Sequence, residues 1–489
     1  MTDALTKPVW VWLPAATTPV PCGVFTLRGQ VGDFLYSDDY KRLQGLTLDP
    51  VVLPMTRRAT PLKETRQQGV FGVFRDTMPD GYGLALLEQL RGVGLSHPMD
   101  RMEASIGDAT GAIEVCESIQ DKVDYRPVFA QDLINTLAGL SPTQPSSVAV
   151  RSVHGIFGTS LGGQRPKMTV DMHGQYWIAK LQDRGDEPDM PLREYLAMRV
   201  ASRLGIDVAN VEFLRCGDHQ VVFVERFDRR VHDHGIQRFM YASAHTILRL
   251  DAQLPGDPKR SYLGFSKALR RWIPGQGYGP EIWKRMAYNA ICGNTDDHPR
   301  NHGVVHDGQA WKLAPAFDIA PSTHLPRAQA IVQAMSINRA GSLISHRENL
   351  LSSCEEFGVD RAEADQFLDH ARDQFAQLWR EEAERVGEDA SRIAPHVWGE
   401  QANCAKPMRS GAFVRGHITP EQNTQMLGMH RQLMQKGNHT AQAYAKARLE
   451  QSAGPVAPDG VQKKMQFGVG KLDVAGASSP AASGGPGED

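Results

Sequence analysis

Short apolar runs punctuated by glycine and proline fill the first part of the chain. VWVWLP (9–14), GVFTLRG (23–29) and VGDFLYS (31–37) carry aromatic and β-branched residues between such stops, the mark of short strands. GVFGVFRDTMPDGYGLALLEQL (69–90) reads as a strand-like piece, a turn at Pro79-Asp80-Gly81 and a helix. From about 148 the rhythm changes. VRSVHGIFGTSLGGQRPKMTV (150–170) and then QYWIAKLQ (175–182) predict strand, glycine-rich turn and strand. In PLREYLAMRVASRLG (191–205), Leu192, Leu196, Val200 and Leu204 define one helical face, with Pro191 near its start and Gly205 as its stop. VEFLR (211–215) and VVFVERFD (221–228) predict two more strands. Beyond about 235 the helical period prevails. EIWKRMAYNAICGN (281–294) predicts a buried helix and RAEADQFLDHARDQFAQLWREEAERV (361–386) a long amphipathic one.

A β-rich stretch followed by a helix-rich one predicts an α+β body of two lobes, with a cleft between them suited to a ligand. The patterning divides the chain at 1–120, 121–234, 235–445 and 446–489, the last being rich in Gly, Ala, Ser and Pro and expected to lack fixed structure. SPTQPSS (141–147) suits a linker and equally an ordinary surface loop.

Composition narrows this only a little. A chain of 489 residues exceeds one compact core, and 41% hydrophobic with 22% charged residues is ordinary for a globular protein. A net charge of −2 offers no general case for nucleic acid or an anionic membrane. The basic pairs Arg229-Arg230, Lys259-Arg260 and Arg270-Arg271 read as solvated surface. Six scattered cysteines without a CxxC pair argue against a disulfide framework or structural zinc and fit a cytoplasmic location. The N-terminus lacks a signal-peptide pattern, and no apolar run of about 18 residues predicts a membrane span.

The chemistry that the residues suggest is phosphoryl transfer. It needs a glycine-rich cover and a lysine for the phosphates, oxygen ligands for magnesium, and a base or orienter for the attacking hydroxyl. The candidate cover runs from Gly158 through Ser160, Gly162 and Gly163 to Lys167, although two glycines between strands also make a plain hairpin turn. Lys180 ends an apolar strand, where it either serves chemistry or snorkels to solvent. Glu194 on the next helix is placed to pair with it, or is a first-turn acid favoured by the helix dipole. In NTDDHPRN (294–301), Asp296 and Asn301 stand five apart, the spacing of a kinase catalytic loop; polar Asx turns would also explain the segment. Asp318 is a lone acid in the apolar run WKLAPAFDIAP (311–321), expensive there unless it meets a cation. Asp318 and Asn301 therefore make a magnesium pair and Asp296 a base. His298 suits a structural role close to a nucleotide.

These segments resemble the HipA family of serine/threonine kinases from bacterial toxin–antitoxin modules. The resemblance lies in Ser160 to Lys167, in Glu225-Arg226-Phe227-Asp228-Arg229 as the hinge, in Asp296 to Asn301, in Asp318, in AMSINR (334–339) and in FGVFRDTMPDGYG (71–83), and spans about 8–440. It implies a bilobal protein-kinase-like fold with a β-rich HipA-type N-terminal subdomain and a helical C-terminal lobe. ATP and Mg2+ would be used, with Asp296 acting on the substrate hydroxyl and Asn301 and Asp318 holding the metal. Gly162, Gly163, Lys167 and Lys180 would meet phosphates, and the backbone of Glu225 and Phe227 would meet adenine. Ser160 falls where family members carry an inhibitory autophosphorylation site; a turn-forming hydroxyl is the plainer reading. The resemblance further implies a small helix-turn-helix antitoxin of HipB type, DNA contact only through that antitoxin, and a substrate such as an aminoacyl-tRNA synthetase or a translation factor. A small-molecule or lipid phosphotransferase, or a non-catalytic co-repressor or scaffold, would share many of these features. Two departures stand out: about 45 residues beyond the expected kinase end, and Arg165-Pro166, which stiffens the glycine turn.

Overall fold

The computed structural model describes residues 4–56, 60–141, 143–154, 159–163, 165–182, 186–251, 257–322 and 331–393. Gly158, Cys404, the end of the helix-rich region and the expected tail lie outside them.

The N-terminal part is an antiparallel sheet of strands β1 (Leu5–Trp12), β2 (Pro19–Arg28), β3 (Val31–Tyr36), β4 (Leu62–Glu64) and β5 (Ile113–Val115), in the order β4-β3-β2-β1-β5. Alternation decides its faces from Val24 onward: Phe25 and Leu27 of β2 are buried, while Val24 and Arg28 are exposed. The stretch expected to be strand at 69–74 is instead a turn and the short helix Gly72–Arg75. Val70, Phe71, Val73 and Phe74 are all buried, a spacing that one helical turn satisfies and an alternating strand cannot. Phe71 and Phe74 pack on Phe25 and Phe34 with ring centroids 5.2–6.4 Å apart. The expected helix follows as α1 (Gly81–Arg91).

A second correction concerns 147–154. Ser147–His154 is helical, with Ala149 and Val150 buried and Val153 beside them, so the glycine-rich segment precedes the hairpin rather than joining its strands. The hairpin is β7 (Lys167–Met172) and β8 (Gln175–Leu181). With β6 (Val128–Phe129), β9 (Val211–Cys216) and β10 (His219–Glu225) it forms a sheet in the order β6-β7-β8-β10-β9.

Helix α2 (Met190–Arg203) lies on one face of this sheet. Leu192, Leu196 and Val200 are buried there together with Val222 and Val224 of β10. Ala179 and Leu181 of β8 belong to the opposite face, packed with Tyr82 and Leu86 of α1. The two-residue period therefore turns Lys180 toward α2.

The C-terminal part is mainly helical: α3 (Tyr262–Leu269), α4 (Gly279–Cys292) and α5 (Arg361–Arg385), plus a three-stranded sheet of β11 (Tyr241–Ser243), β12 (Gly303–His306) and β13 (Trp311–Leu313). The fold is thus α+β, sheet-rich at the N-terminus and helical toward the C-terminus. Among the described residues, no helix is long and apolar enough to cross a membrane.

Candidate active site

Lys180 sits mid-sheet, in register with Lys167 of β7 and Val222 of β10. Its ammonium lies 2.5 Å from Glu194 Oε1 and 2.6 Å from Asp318 Oδ1. Burial works against this cation, but Asp318 and Glu194 outweigh it and hold the amine above its ordinary value. For Asp318, burial is likewise overcome, by Lys180 and then Lys167, which hold its carboxyl well below the usual range. Burial is also the larger influence on Glu194 and lifts its carboxyl, against the pull of the Lys180 ammonium 2.5 Å away. Glu194 is thus a buried partner of Lys180 and not an exposed first-turn acid.

Asp318 reaches this point from an unusual backbone. Hydrogen bonds from Ala209 N to Ala316 O and from Ala316 N to Asp207 O fix the chain before it, Phe317 packs against Phe227, and Asp318 takes φ 61°. The left-handed region is costly for a residue with a Cβ, although Asp tolerates it better than most. The apolar run is a strand only over Trp311–Leu313.

The loop after α4 begins at Gly293, whose φ of 76° caps the helix. Asp297 anchors it. Its buried carboxylate accepts from Tyr262 Oη (2.5 Å) and Asn289 Nδ2 (2.6 Å) and meets His302 Nε2 (2.8 Å). The neighbouring Asp296 points the other way: it is exposed, and among the described residues its carboxylate has no hydrogen-bond partner. Desolvation by the surrounding protein still lifts this carboxyl above its usual range, against the pull of His298 and with a push from Asp318. Asn301 Nδ2 donates to Asp296 O (3.2 Å), tying the two ends of the motif together. His298 lies within electrostatic reach of both Asp296 and Asp318, and its Nδ1 is buried without a partner.

The glycine-rich segment is docked on the N-terminal part. Ser160 N and Thr159 Oγ1 donate to Asp108 (2.8 and 2.9 Å), and Ile106 N donates to Ser160 Oγ (2.8 Å). Gly163 N donates to Asp80 Oδ1 (2.7 Å), Tyr82 N donates to Gly163 O (2.7 Å), and Asp80 also pairs with Arg300 of the catalytic-loop motif. The approach leaves no room for side chains: a Cβ on Gly81 would meet Gly163 O and one on Gly83 would meet Leu161 O. Gly162 faces Asp80, and Lys167 Nζ lies against Gly163, its ammonium pushed down by burial and by Lys180.

The expected hinge is a buried ion cluster. Arg226 pairs with both oxygens of Asp228 (2.9 and 2.8 Å), Arg229 joins them, and both guanidinium groups donate to Ala109 O. The amide of Glu225 is taken by Asn210 O, its side chain accepts from Asn210 Nδ2, and Phe227 packs with tilted rings between Tyr241 and Phe317.

Lys180, Glu194, Asp318, Lys167, Asp296, Asn301 and His298 are therefore neighbours. Ser160, Gly162 and Gly163 stand beside them but are held from the N-terminal part. Sequence reasoning missed Asp80, Asp108, Asp297 and Arg300. Asp80 looked like a turn former, and only the glycines on both sides of its contact hinted at a close approach.

Two sequence models match in chain order: the HipA N-terminal domain over residues 15–116 and the HipA-like C-terminal domain over 159–379. The chain belongs to the HipA-like family. A Sinorhizobium fredii protein, Y4mE, which carries the name of a kinase, is 22% identical over 321 residues, covering 61% of this chain and 74% of its own. The serine/threonine-protein kinase toxin HipA of Shewanella oneidensis is 24% identical over 209 residues, covering 40% of this HipA-like chain and 44% of its own. A chain from the solved complex of Shewanella oneidensis HipA, HipB and operator DNA superposes with a TM-score of 0.56 at 17% identity, over 81% of this chain and 96% of that one. That likeness establishes the fold of this HipA-like kinase.

Proposed function

We propose that this HipA-like kinase is an ATP- and Mg2+-dependent serine/threonine protein kinase and the toxin component of a toxin–antitoxin module. The observation that carries the reading is the Lys180 ammonium shared between Glu194 and Asp318. A strand lysine held by a helix glutamate and facing an acid near the catalytic loop is the arrangement that phosphoryl transfer requires. Lys180 stays charged in this setting and holds phosphate oxygens, while Lys167 adds a second cation beside Gly162 and Gly163. Asp318 and Asn301 offer a carboxylate and an amide oxygen, hard donors of the kind Mg2+ takes. Among the described residues there is no cluster of three His, Cys, Asp or Glu side chains fit for a metal, and a nucleotide-bound Mg2+ needs none. When bound, the ion neutralises charge on the β- and γ-phosphates. Asp296 accepts the proton of the substrate hydroxyl as its oxygen bonds to the γ-phosphorus and the bond to ADP breaks. The buried, partnerless Nδ1 of His298 suits a group on the nucleotide, and the backbone of Glu225 and Phe227 takes the adenine.

Ser160 is the regulatory phosphosite in this reading. Its buried hydroxyl accepts from Ile106 N, while its own amide donates to the Asp108 carboxylate. A phosphate would bring about −1.5 to −2 charges next to that carboxylate and expel the segment. The partner is a HipB-type antitoxin, as the Shewanella complex suggests, with operator DNA met through it. The substrate is a translation protein such as an aminoacyl-tRNA synthetase, and the setting is the cytoplasm.

Intact-mass spectrometry of the full chain after incubation with ATP and Mg2+ tests this. One added phosphate on Ser160, absent in Asp318→Ala, is the expected result. No phosphate on the chain or on any protein of a lysate would overturn the kinase reading.

A further inference from the structure

Beyond the cleft, the described residues form an open groove of about 880 Å³. Its walls come from the N-terminal part, the start of α3 and the AMSINR segment. Seven arginine and lysine side chains line it against a single acid, Asp257. Lys259-Arg260 and Arg271, expected to be scattered solvated charge, converge there with Arg66 of the N-terminal part. The third basic pair goes elsewhere, Arg229 into the hinge cluster and Arg230 over the Phe239 ring.

The charge in the groove is not neutralised from within. Lys267 and Arg339 share Glu356, and Arg249 reaches Glu64 at 3.4 Å. Arg66, Lys259 and Arg271 have no ion-pair partner among the described residues. The floor is apolar, formed by Ile247, Leu248, Leu263 and Leu343.

The groove also adjoins the chemistry. Arg260 lies within electrostatic reach of Asp296, and Tyr262, at the start of α3, donates to the Asp297 that anchors the catalytic loop. Ser336 N donates to Arg260 O (2.8 Å) and Tyr262 N to Ser336 O (3.1 Å), so this wall is built into the lobe.

We propose that this groove docks an acidic, partly apolar segment of the protein substrate beside its phosphoacceptor, an inference that rests on the kinase reading. A nucleic acid fits less well. Single strands bind on exposed aromatic platforms, and duplexes are read by protruding helices or ribbons. Here the surface is concave, and the only aromatic residue among the described ones lining it, Trp272, is 4% exposed and packed edge-on against Trp311. Apolar side chains on the floor with carboxylates on the cationic rim suit a polypeptide.

Fluorescence anisotropy with the full chain tests this, using a labelled peptide of Glu, Asp and Leu around one Ser. The controls are a copy with Gln and Asn for the acids and a single-stranded RNA competitor. The variant is Arg66→Glu, Lys259→Glu and Arg271→Glu combined, checked by thermal melting. Expected are tighter binding of the acidic peptide than of its neutral copy, and about tenfold or more weakening in the variant. In phosphorylation of the same peptide KM is expected to rise by a similar factor while kcat stays put. Equal binding of both peptides, binding indifferent to the variant, or displacement by RNA at lower concentration overturns the groove. Tight acidic binding without phosphate transfer supports the groove and overturns the kinase reading instead.

Discussion

Two clusters of charged side chains mark the molecule, one at the hinge and one in the cleft, and only one of them is closed. At the hinge, Asp228 is met by Arg226, Arg229 and Gly111 N, while Arg238 and Lys122 flank Glu114. The guanidinium groups left over find the carbonyls of Asp108, Ala109 and Gly111. The bonds from Arg226, Arg229 and Arg238 to Asp108, Ala109, Gly111 and Glu114, and from Gly111 N to Asp228, join the N-terminal part to the hinge, so the cluster specifies how the two dock. The cleft cluster is different. Among the described residues, the exposed carboxylate of Asp296 has no hydrogen-bond partner and Nδ1 of His298 is orphaned; Asp318 is held in the left-handed region, and Lys167 is pushed away from its charged form. Buried charge that is fully matched is architecture, whereas the unmatched groups of the cleft are the ones the proposed kinase function assigns to nucleotide and substrate.

The two clusters should respond oppositely to the loss of one carboxylate. Asp318→Asn is expected to lower phosphate transfer by about 10³-fold or more while costing less stability than Asp228→Asn, because the Asp318 side chain is 36% exposed. Asparagine keeps the left-handed backbone and Lys180 keeps Glu194. Single-turnover transfer and urea unfolding measure the two effects. Asp228→Asn is expected to cost about 3–5 kcal/mol of stability, because Arg226 and Arg229 are left buried without their counter-charge. An Asp228→Asn protein as stable as the parent would erase the distinction.

Acid should narrow that second gap. Burial opposes the Asp228 carboxylate, but Arg226 and Arg229 hold its carboxyl well below the ordinary value. A carboxyl depressed in the folded state adds stability above its unfolded pKa, and the contribution is lost as pH falls through the folded one. The difference between parent and Asp228→Asn should therefore shrink below about pH 4. A gap constant from pH 7 to pH 3 would mean that the charge of Asp228 is not what stabilises.

Much of this was legible beforehand where a local rule decides the outcome. The helical face Leu192–Leu204, the buried helix α4 and the strands carrying Lys180 and Glu225 follow from spacing alone. A strand lysine followed by a helix glutamate also announced the pair at 2.5 Å. The failures came where apolar residues crowd together. Val70 to Phe74 and Ala149 to Val153 are short apolar runs next to glycines, and periodicity cannot separate strand from helix over so few residues. Distant pairings were also hidden. Nothing near Asp80 or Asp108 indicates that they hold a segment about 50 to 80 residues away, since a turn acid and a tether acid look alike in sequence. The groove escaped for the same reason, as its cations come from segments nearly 300 residues apart.

The smallest expected effect concerns Asp80, where the two kinds of cluster meet. One of its oxygens accepts from Gly163 N and the other pairs with Arg300, so a single carboxylate links the N-terminal part, the glycine-rich segment and the catalytic loop. Both contacts are open to solvent, so neither should matter much to global stability. Their effect should be local, on how often residues 159–163 leave their seat. Asp80→Ala removes the acceptor and should speed amide exchange at Gly163 about 2–10-fold, the worth of one hydrogen bond. Asp80→Asn keeps an acceptor oxygen and loses only the charge, so Gly163 should exchange nearly as in the parent. Were Ala and Asn to exchange alike, the ion pair to Arg300 rather than the bond from Gly163 would be the tether, and the glycine-rich segment would be governed from the catalytic loop instead of the N-terminal part.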